Sequence, residues 1–536
     1  MTIQLRKEQR RYLLQTMGKE KNKPLSFSTT MRNPNRIASF LNCLVPFEGM
    51  TLTNDLIDKV VRKVIKEKLY RPYYINKVAE LNEIYTSDDE FFNDEQLEEI
   101  VNNSPQNHKE AGFDKGWPSR FDTWYKLPME FGFVNYAIGS KIEISKVGHM
   151  LIDALNENPV NEQKIQNVFL NSMIKYQIRN PYRKNKNDNV PLILLLQVIK
   201  KLRDENPDSA GIYRQEISFF ICWTNNDADA LYNKIKEFRK NHKFGQYTDE
   251  LIYDECLNIM GYEEKDKNYI KIEKVTGETV DEYIRKMRST GIISLRGNGR
   301  FIDFNNLELE KIKYVLDNYS TYTIFTDKQK YFEYMGKIDE HILDIKRTVV
   351  SNEDLIRKAT LQKYAENYNS QDIFNELYNV CNKKESKDPV FRIISAPARL
   401  EFLTSIALVQ NFKDLDVNPN YIIDDEGLPT CTASGGMADI VCYDKINDGL
   451  IEVTLMCGRQ QVNNELLPIS RHLADAKKEK EETVSIFVAP RIHDDVKRYI
   501  NFIKFDEGLN IIAYGINEFL DVVNNYATLD ELVAKE

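Results

Sequence analysis

At 536 residues the chain is too long for one hydrophobic core, and typical domain sizes predict roughly three or four structural units. Its composition, 42% hydrophobic and 29% charged, is that of an ordinary folded protein, and no apolar run approaches membrane-spanning length. A formal net charge of −9 excludes a protein that coats nucleic acid nonspecifically, while local basic patches on a modular chain stay compatible with DNA binding.

The first twenty residues are rich in Arg and Lys and lack the apolar stretch of a secretion signal, so a cytoplasmic protein without a membrane partner is expected. A basic arm (Arg6, Lys7, Arg10, Arg11, Lys19, Lys21, Lys23) leads through Pro24 into residues 26–36. There hydroxyls, amides and guanidinium groups suit phosphate contacts, with Arg32, Asn33 and Arg36 as candidates. The same residues fit equally well a solvated arm followed by a helix cap at Asn33, with Pro34 in the first turn.

From Ser119 a helix is predicted with Phe121, Trp124, Leu127 and Phe131 on one side, ending at Gly132. Alternating strands over 133–138 and 141–144 follow, turning at Gly139-Ser140. Helix then ribbon is the pattern of a winged helix, in which the helix can enter a major groove and the ribbon touches the backbone. A similar unit recurs with a helix around 283–288, a stop at Gly291 and strands over 292–295 and 300–304 about Gly297-Asn298-Gly299. Arg120, Lys126, Arg296 and Arg300 join the candidate DNA contacts on these units. Polar stretches at 180–189 and 382–389 mark boundaries, with a helical stretch from about 307 between reader and C-terminal part. The seven cysteines are odd in number, scattered and without a C-x-x-C pair, and read as reduced, buried apolar residues.

The last 150 or so residues alternate helix and strand: a helix over 396–412, strands over 438–443 and 450–456, a helix from Pro468, a strand over 483–488, a helix, a strand over 510–514 and a last helix. Period-two alternation puts Asp439, Val441 and Tyr443 on one face of their strand and Leu450, Glu452, Thr454 and Met456 on one face of the next. Two acids can thus point to one site from adjacent strands. An acid within the apolar run 450–455 is costly to desolvate unless something positive meets it, and a divalent cation is the natural partner. Asp439, Glu452 and the carbonyl of Val453 are hard oxygen donors that suit Mg²⁺, and such an ion serves phosphodiester hydrolysis.

These residues resemble the PD-(D/E)xK nucleases, and more closely the AlwI family of type IIS restriction and nicking endonucleases, architecturally akin to FokI. The likeness rests on residues 435–442, 451–455 and 458–461, then Glu465 to residues 468–473, and at the other end on residues 31–37 with Phe47-Glu48-Gly49. It implies that Asp439 and Glu452 bind metal, that Glu401 completes the acidic cluster, and that Glu465 is its remaining member. On the residues alone Glu401 reads as an ordinary helix-face carboxylate beside Arg399; the family spacing assigns it to the cluster. Thr454 stands where the general nuclease pattern has Lys, which makes Glu465 the candidate for positioning the attacking water. His472 reads as a surface or core histidine without chemistry, and Gln460 and Gln461 as possible contacts near the cut.

The expectation is a multidomain α+β protein: N-terminal winged-helix-like DNA-recognition domains over 1–180 and 181–306, a helical linker over 307–388, and a C-terminal α/β PD-(D/E)xK nuclease domain over 389–536. Such a protein would be a type IIS endonuclease cutting double-stranded DNA a few bases outside a short asymmetric site, with Mg²⁺ as cofactor. A transient homodimer through the cleavage domain and a cognate DNA methyltransferase in the host would be its other partners. A strand-specific nicking enzyme is the close variant. The competing readings are a DNA-binding regulator with an inactive nuclease fold, suggested by the absent Lys but opposed by the intact acids, and a nuclease for branched or damaged DNA.

Overall fold

In the computed structural model, which describes residues 22–183, 186–263, 270–348 and 350–535, Asn33 caps the first helix of the described residues, α1 (Pro34–Asn42). Its side chain accepts the Arg36 N–H at 2.8 Å, a bond of the kind that contributes about 1 kcal/mol to a helix start. The arm residues Arg6, Lys7, Arg10, Arg11, Lys19 and Lys21 lie outside the described residues.

Helix α2 (Trp117–Glu130) buries Phe121, Trp124 and Leu127, and Gly132 ends it at a positive φ of 73°. The hairpin that follows is shorter than its alternation suggests: β1 (Val134–Asn135) and β2 (Glu143–Ile144) pair over two residues each. The reason is competition for backbone partners. Leu52 N–H donates to the Ser140 carbonyl, Gly139 N–H to Leu52 and Ile142 N–H to Met50, so the preceding segment captures groups that a longer hairpin would need. Helix α3 (Glu162–Met173) meets this unit through Phe169, whose ring packs edge-on against Phe131.

The polar segment around Asn180 is tied down by its amides. Asn180, Asn187 and Asn189 are buried, and the last two both donate to the Trp223 carbonyl.

Strand β3 (Ile212–Tyr213) joins a second hairpin of β4 (Ile293–Arg296) and β5 (Phe301–Phe304), which follows helix α4 (Glu278–Arg288). The turn Gly297-Asn298-Gly299 has φ of 60°, 57° and 78°, a left-handed run that two glycines and an asparagine accommodate. Helix α4 buries every residue but Glu278 and Asp281, its basic side chains included, so no groove-reading face of this helix is open.

The C-terminal half is a layered α/β unit. Helices α5 (Glu353–Asn367), α6 (Ser370–Cys381) and α7 (Ala396–Asn411) lead into it, and α7 is buried from Ala398 to Leu408. Strands β6 (Asp416–Pro419), β9 (Ile440–Tyr443), β10 (Asp448–Val453), β11 (Thr483–Ala489) and β12 (Ile511–Gly515) form one sheet in the order β12-β11-β10-β9-β6. β10, β11 and β12 run parallel, and β9 is antiparallel to both β10 and β6. A separate hairpin, β7 (Tyr421–Ile423) with β8 (Pro429–Ala433), precedes β9. β11 is buried at all seven positions, as a central strand covered on both faces must be.

Alternation assigns the two faces. Ile440, Cys442, Ile451 and Ile486 join the main core with α7 and with α10 (Ile516–Asn525). Leu450, Phe487 and Ile511, with Val441 against them, meet α8 (Leu467–Ala476) and α9 (Asp494–Asp506) in a smaller apolar cluster. The main core runs from Leu25 to Leu532 without a break, so the N-terminal and C-terminal parts share buried contacts.

Candidate active site

The antiparallel register of β9 and β10 pairs Ile440 with Ile451, and one step further places Asp439 opposite Glu452. Both side chains therefore lie with Val441 and Leu450 on the face that α8 covers. The Val453 N–H donates to Asp439 Oδ2 at 2.7 Å, which ties the loop end of β9 to the end of β10. Val453 thus serves Asp439 through its amide. Asp439 keeps part of its surface open to solvent although protein surrounds it on most sides, and the exposed loop from Ser434 to Met437 borders it.

Glu452 is 7% exposed, and its Oε1 lies 3.0 Å from Nδ1 of His472 on α8. Thr454 donates its hydroxyl to Glu465 Oε1 at 2.8 Å, with Glu465 in a single π-helical stretch, Val462–Leu466, just before α8. Glu401 comes from the opposite layer on α7, is 3% exposed, and accepts the Ala433 N–H at 3.1 Å. Next to it, Glu162 of α3 accepts the Thr432 N–H at 2.9 Å. The β8 end of the hairpin thus holds two carboxylates by adjacent amides.

Electrostatics joins these groups into one cluster. Burial, then Asp439, holds the Glu401 carboxyl well above the usual carboxylate range. Burial, then Glu452, does the same to Asp439. Burial raises Glu452 against the lowering effect of His472, and raises Glu465 against the Thr454 hydroxyl. Among the described residues His472 is the one ion-pair partner that any of the four carboxylates has. Carboxylates crowded in this way repel one another and are desolvated, and a cation between them relieves both costs.

Among the described residues no group of three or more His, Cys, Asp or Glu is arranged to hold a metal ion by itself. That is compatible with Mg²⁺, which binds through one or two carboxylates and keeps water and substrate phosphate as its other ligands. An all-oxygen donor pair at Asp439 and Glu452, partly open to solvent, fits that demand.

His472 gained no role from the sequence, yet it is the contact that orients Glu452. Its spacing seven residues after Glu465, two helical turns, would have placed it on the same face. Glu162 has no local signal at all, because its position depends on α3 meeting β8. The Glu452 hydrogen bond raises the His472 imidazole above its ordinary value, against burial. The pair therefore stabilises the fold below the ordinary histidine pKa, and that contribution is lost as pH rises through the folded-state value. An NMR titration should find His472 shifted upward and returned toward the ordinary value in Glu452→Gln; an unshifted imidazole would mean that the contact is absent in solution.

The candidate DNA contacts are placed differently from one another. Arg36 donates to the carbonyls of Thr30 and Leu69, both at 2.7 Å, and Asn33 is occupied as the α1 cap. Arg120 bonds Gln106 and lies over Tyr70, and Lys126 meets Glu110 at 3.3 Å. Arg296 reaches Asp303, Asp425 and Glu426 within 2.6 to 2.8 Å. Arg32 pairs with Glu385, and Arg300 is exposed. Gln461 is fully buried and donates to Met456 and Arg491 carbonyls, whereas Gln460 is exposed.

Comparison with known proteins adds sequence evidence. The family model described as AlwI restriction endonuclease matches residues 129–348 and 323–522. No curated protein matches. Among solved structures, the small subunit (R.BspD6I2) of the heterodimeric restriction endonuclease R.BspD6I is 26% identical over 31% of this chain and 85% of its own, with a TM-score of 0.25. Restriction endonuclease FokI is 11% identical over 96% of this chain and 98% of its own, with a TM-score of 0.27. FokI bound to DNA gives the same identity and coverage, 11%, 96% and 98%, with a TM-score of 0.26.

Proposed function

Since the chain belongs to the AlwI restriction endonuclease family, and so is a nuclease acting on DNA, we propose that it is a Mg²⁺-dependent type IIS enzyme whose C-terminal α/β unit, of PD-(D/E)xK type, cuts a few bases outside a short asymmetric site. The observation that carries this reading is the pairing of Asp439 with Glu452 on one face of β9 and β10, without any Lys or Arg ion-paired to either among the described residues. Asp439 and Glu452 would hold the metal. When bound, it would neutralise phosphate charge and acidify a water for in-line attack.

The protein's own residues supply position and proton traffic. Val453 N–H and His472 fix the two metal-binding carboxylates. Glu465 positions the attacking water and accepts its proton. Burial and the neighbouring Glu452 raise its pKa, and a base with a raised pKa is better matched to neutral pH. The Thr454 hydroxyl, at the place of the usual Lys, orients Glu465 instead of the water itself. Glu401 adds negative charge behind Asp439 and strengthens the demand for a cation.

The helix-and-hairpin units, α2 with β1 and β2 and α4 with β4 and β5, are read as winged-helix-like recognition elements. With α4 enclosed, Gly297 and Asn298 of its hairpin turn and the exposed Arg300 are the parts of the second unit nearest to solvent. One acidic cluster per chain cuts one strand at a time, so a double-strand break requires a second copy or sequential cuts; strand-specific nicking follows if neither occurs.

Incubation with plasmid and Mg²⁺, followed by sequencing of the ends, tests the proposal. Cuts at a constant distance from one motif are expected. Cuts scattered without a motif, or specific binding with no cutting, would overturn it.

A further inference from the structure

Next to the acidic cluster lies a cavity of about 610 Å³ with the opposite charge character. Its walls come from the segment around Arg32, the end of α6 with residues 383–386, and the N-terminus of α7. Three side chains of this wall each leave one buried polar atom unbonded. The Ser395 side chain stands at the α7 cap position without making the cap bond, and its Oγ is buried and unbonded. Arg399, one turn into α7 and 7% exposed, uses Nη1 on the Phe391 carbonyl at 3.0 Å and leaves Nε buried and unbonded. Arg392 Nε is buried and unbonded as well, while its Nη1 is ion-paired with Asp281 and its Nη2 donates to the Lys387 carbonyl.

Ser395, Ala396 and Arg399 at the helix start all line this one cavity, and the first turn of the helix carries no acidic residue. Arg32, Arg285 and Lys383 line the same space, against Glu385 and, at the far wall, Glu162. Glu385 is already paired with Arg32, and Glu282 with Arg285. The cationic excess leaves its mark on the groups themselves. Burial lowers the Arg285 guanidinium pKa, with Glu282 opposing and Arg32 and Arg392 adding to the lowering. Burial also lowers that of Arg399, with Glu376 opposing and Arg285 adding. Cations that repel one another around a cavity are a site prepared for an anion with several acceptor oxygens.

We propose that this cavity is a phosphate-binding site formed by Ser395, Arg399 and the α7 N-terminus with Arg285 and Lys383, and that it holds a backbone phosphate of the DNA being cut. The inference rests on the reading of the chain as a DNA nuclease. Geometry supports the choice of a DNA phosphate, because Thr430, Cys431 and Leu455 line the same cavity, close along the chain to Ala433 and Thr454, which hold Glu401 and Glu465. A strand anchored at the helix start thus reaches the acidic cluster within a nucleotide or two. The anchor is also a positioning device, since the element that grips the strand is the one that carries Glu401. The site joins both halves of the chain, so a bound strand would be registered against the N-terminal segment and the carboxylates at once.

The test uses the full-length protein. Melting curves are recorded with inorganic phosphate and with chloride at matched ionic strength, and duplex DNA affinity is measured against salt for the wild type and for Arg399→Gln. Phosphate should raise the wild-type melting temperature and leave the variant's unmoved. DNA affinity should fall about tenfold in the variant, and the log–log salt slope should shrink by about 0.9, the mark of one lost phosphate contact. If Arg399→Gln does not fold, Lys383→Ala combined with Ser395→Ala carries the same comparison, Lys383 being exposed. Phosphate stabilisation of the wild type with an unchanged DNA slope in the variant would make this a site for free phosphate and overturn the DNA assignment. No phosphate effect together with an unchanged slope would overturn the site altogether. A wild type that binds DNA through this site yet never cuts with Mg²⁺ would leave the inference standing and sink the nuclease reading instead.

Discussion

Asp439→Asn is expected to stop DNA cleavage, by about a thousandfold or more, and at the same time to raise the melting temperature of the metal-free protein. The first effect follows from removing one of the two carboxylates proposed to hold the metal, a loss of several kcal/mol of transition-state stabilisation at about 1.4 kcal/mol per tenfold. The second follows from the state of the cluster without a cation. Burial and Glu452 hold the Asp439 pKa well above the ordinary carboxylate range, so the folded protein keeps a proton that the unfolded chain gives up. Stability therefore falls as pH rises through the ordinary range and on to the folded-state value, and asparagine removes that dependence. Melting in EDTA should show little difference between the two proteins at acid pH and a growing advantage for the variant toward neutral pH. Mg²⁺ should stabilise the wild type, by mass action, more than the variant. DNA binding without divalent ions should be unaffected, because Asp439 is outside the cavity at the α7 N-terminus. Near-normal cleavage by the variant, or a lower melting temperature in EDTA, would refute this account of the cluster.

What could be read from the sequence is what strand periodicity and local chemistry determine. Asp439 and Glu452 were legible because period-two alternation gives each a face, and because an acid between Ile451 and Val453 is anomalous in a buried strand. The order of helices and strands from Ile440 to α10 was legible from the same patterning, whereas β6, β7 and β8, between α7 and β9, went unread. The length of the first hairpin was not, since residues 49–52 compete for the ribbon's amides from a distance of some ninety positions along the chain. Nor was the destination of charged side chains. Arg296 reads in sequence as a cation in a hairpin, but Asp425 and Glu426, brought in by the β7–β8 turn, occupy its guanidinium. His472 and Glu162 gain their places only when α8 covers β10 and α3 meets β8. Local patterns specify elements; the partners of long polar side chains are chosen by tertiary packing, on which spacing is silent.

The largest stability effect is expected at Arg288. Its guanidinium is 4% exposed and meets the fully buried Asp424 at 2.6 Å, while Nη2 donates to the Pro429 carbonyl at 3.0 Å. Asp424 in turn accepts the N–H groups of Glu426 and Leu428, which shapes the β7–β8 turn. Arg288→Met leaves a desolvated carboxylate without its counter-charge, and breaking a buried pair in this way costs about 3–5 kcal/mol. The urea midpoint should drop accordingly with an unchanged slope. Adding Asp424→Leu to the same chain should recover much of the loss, because two apolar side chains of similar bulk need no pairing. Lys478→Met, which removes an i,i+3 pair with 75% and 73% of its side chains exposed, should leave the midpoint where it was. The hairpin clamped by Arg288 is also the one whose Thr432 and Ala433 amides hold Glu162 and Glu401. Arg288→Met should accordingly lose cleavage at temperatures where the protein is still folded, and the Asp424→Leu double variant should regain stability without regaining full activity, since the turn loses the acceptor for two of its amides. Full recovery of both together would separate the clamp from the site and remove the argument that the N-terminal part positions the acidic cluster.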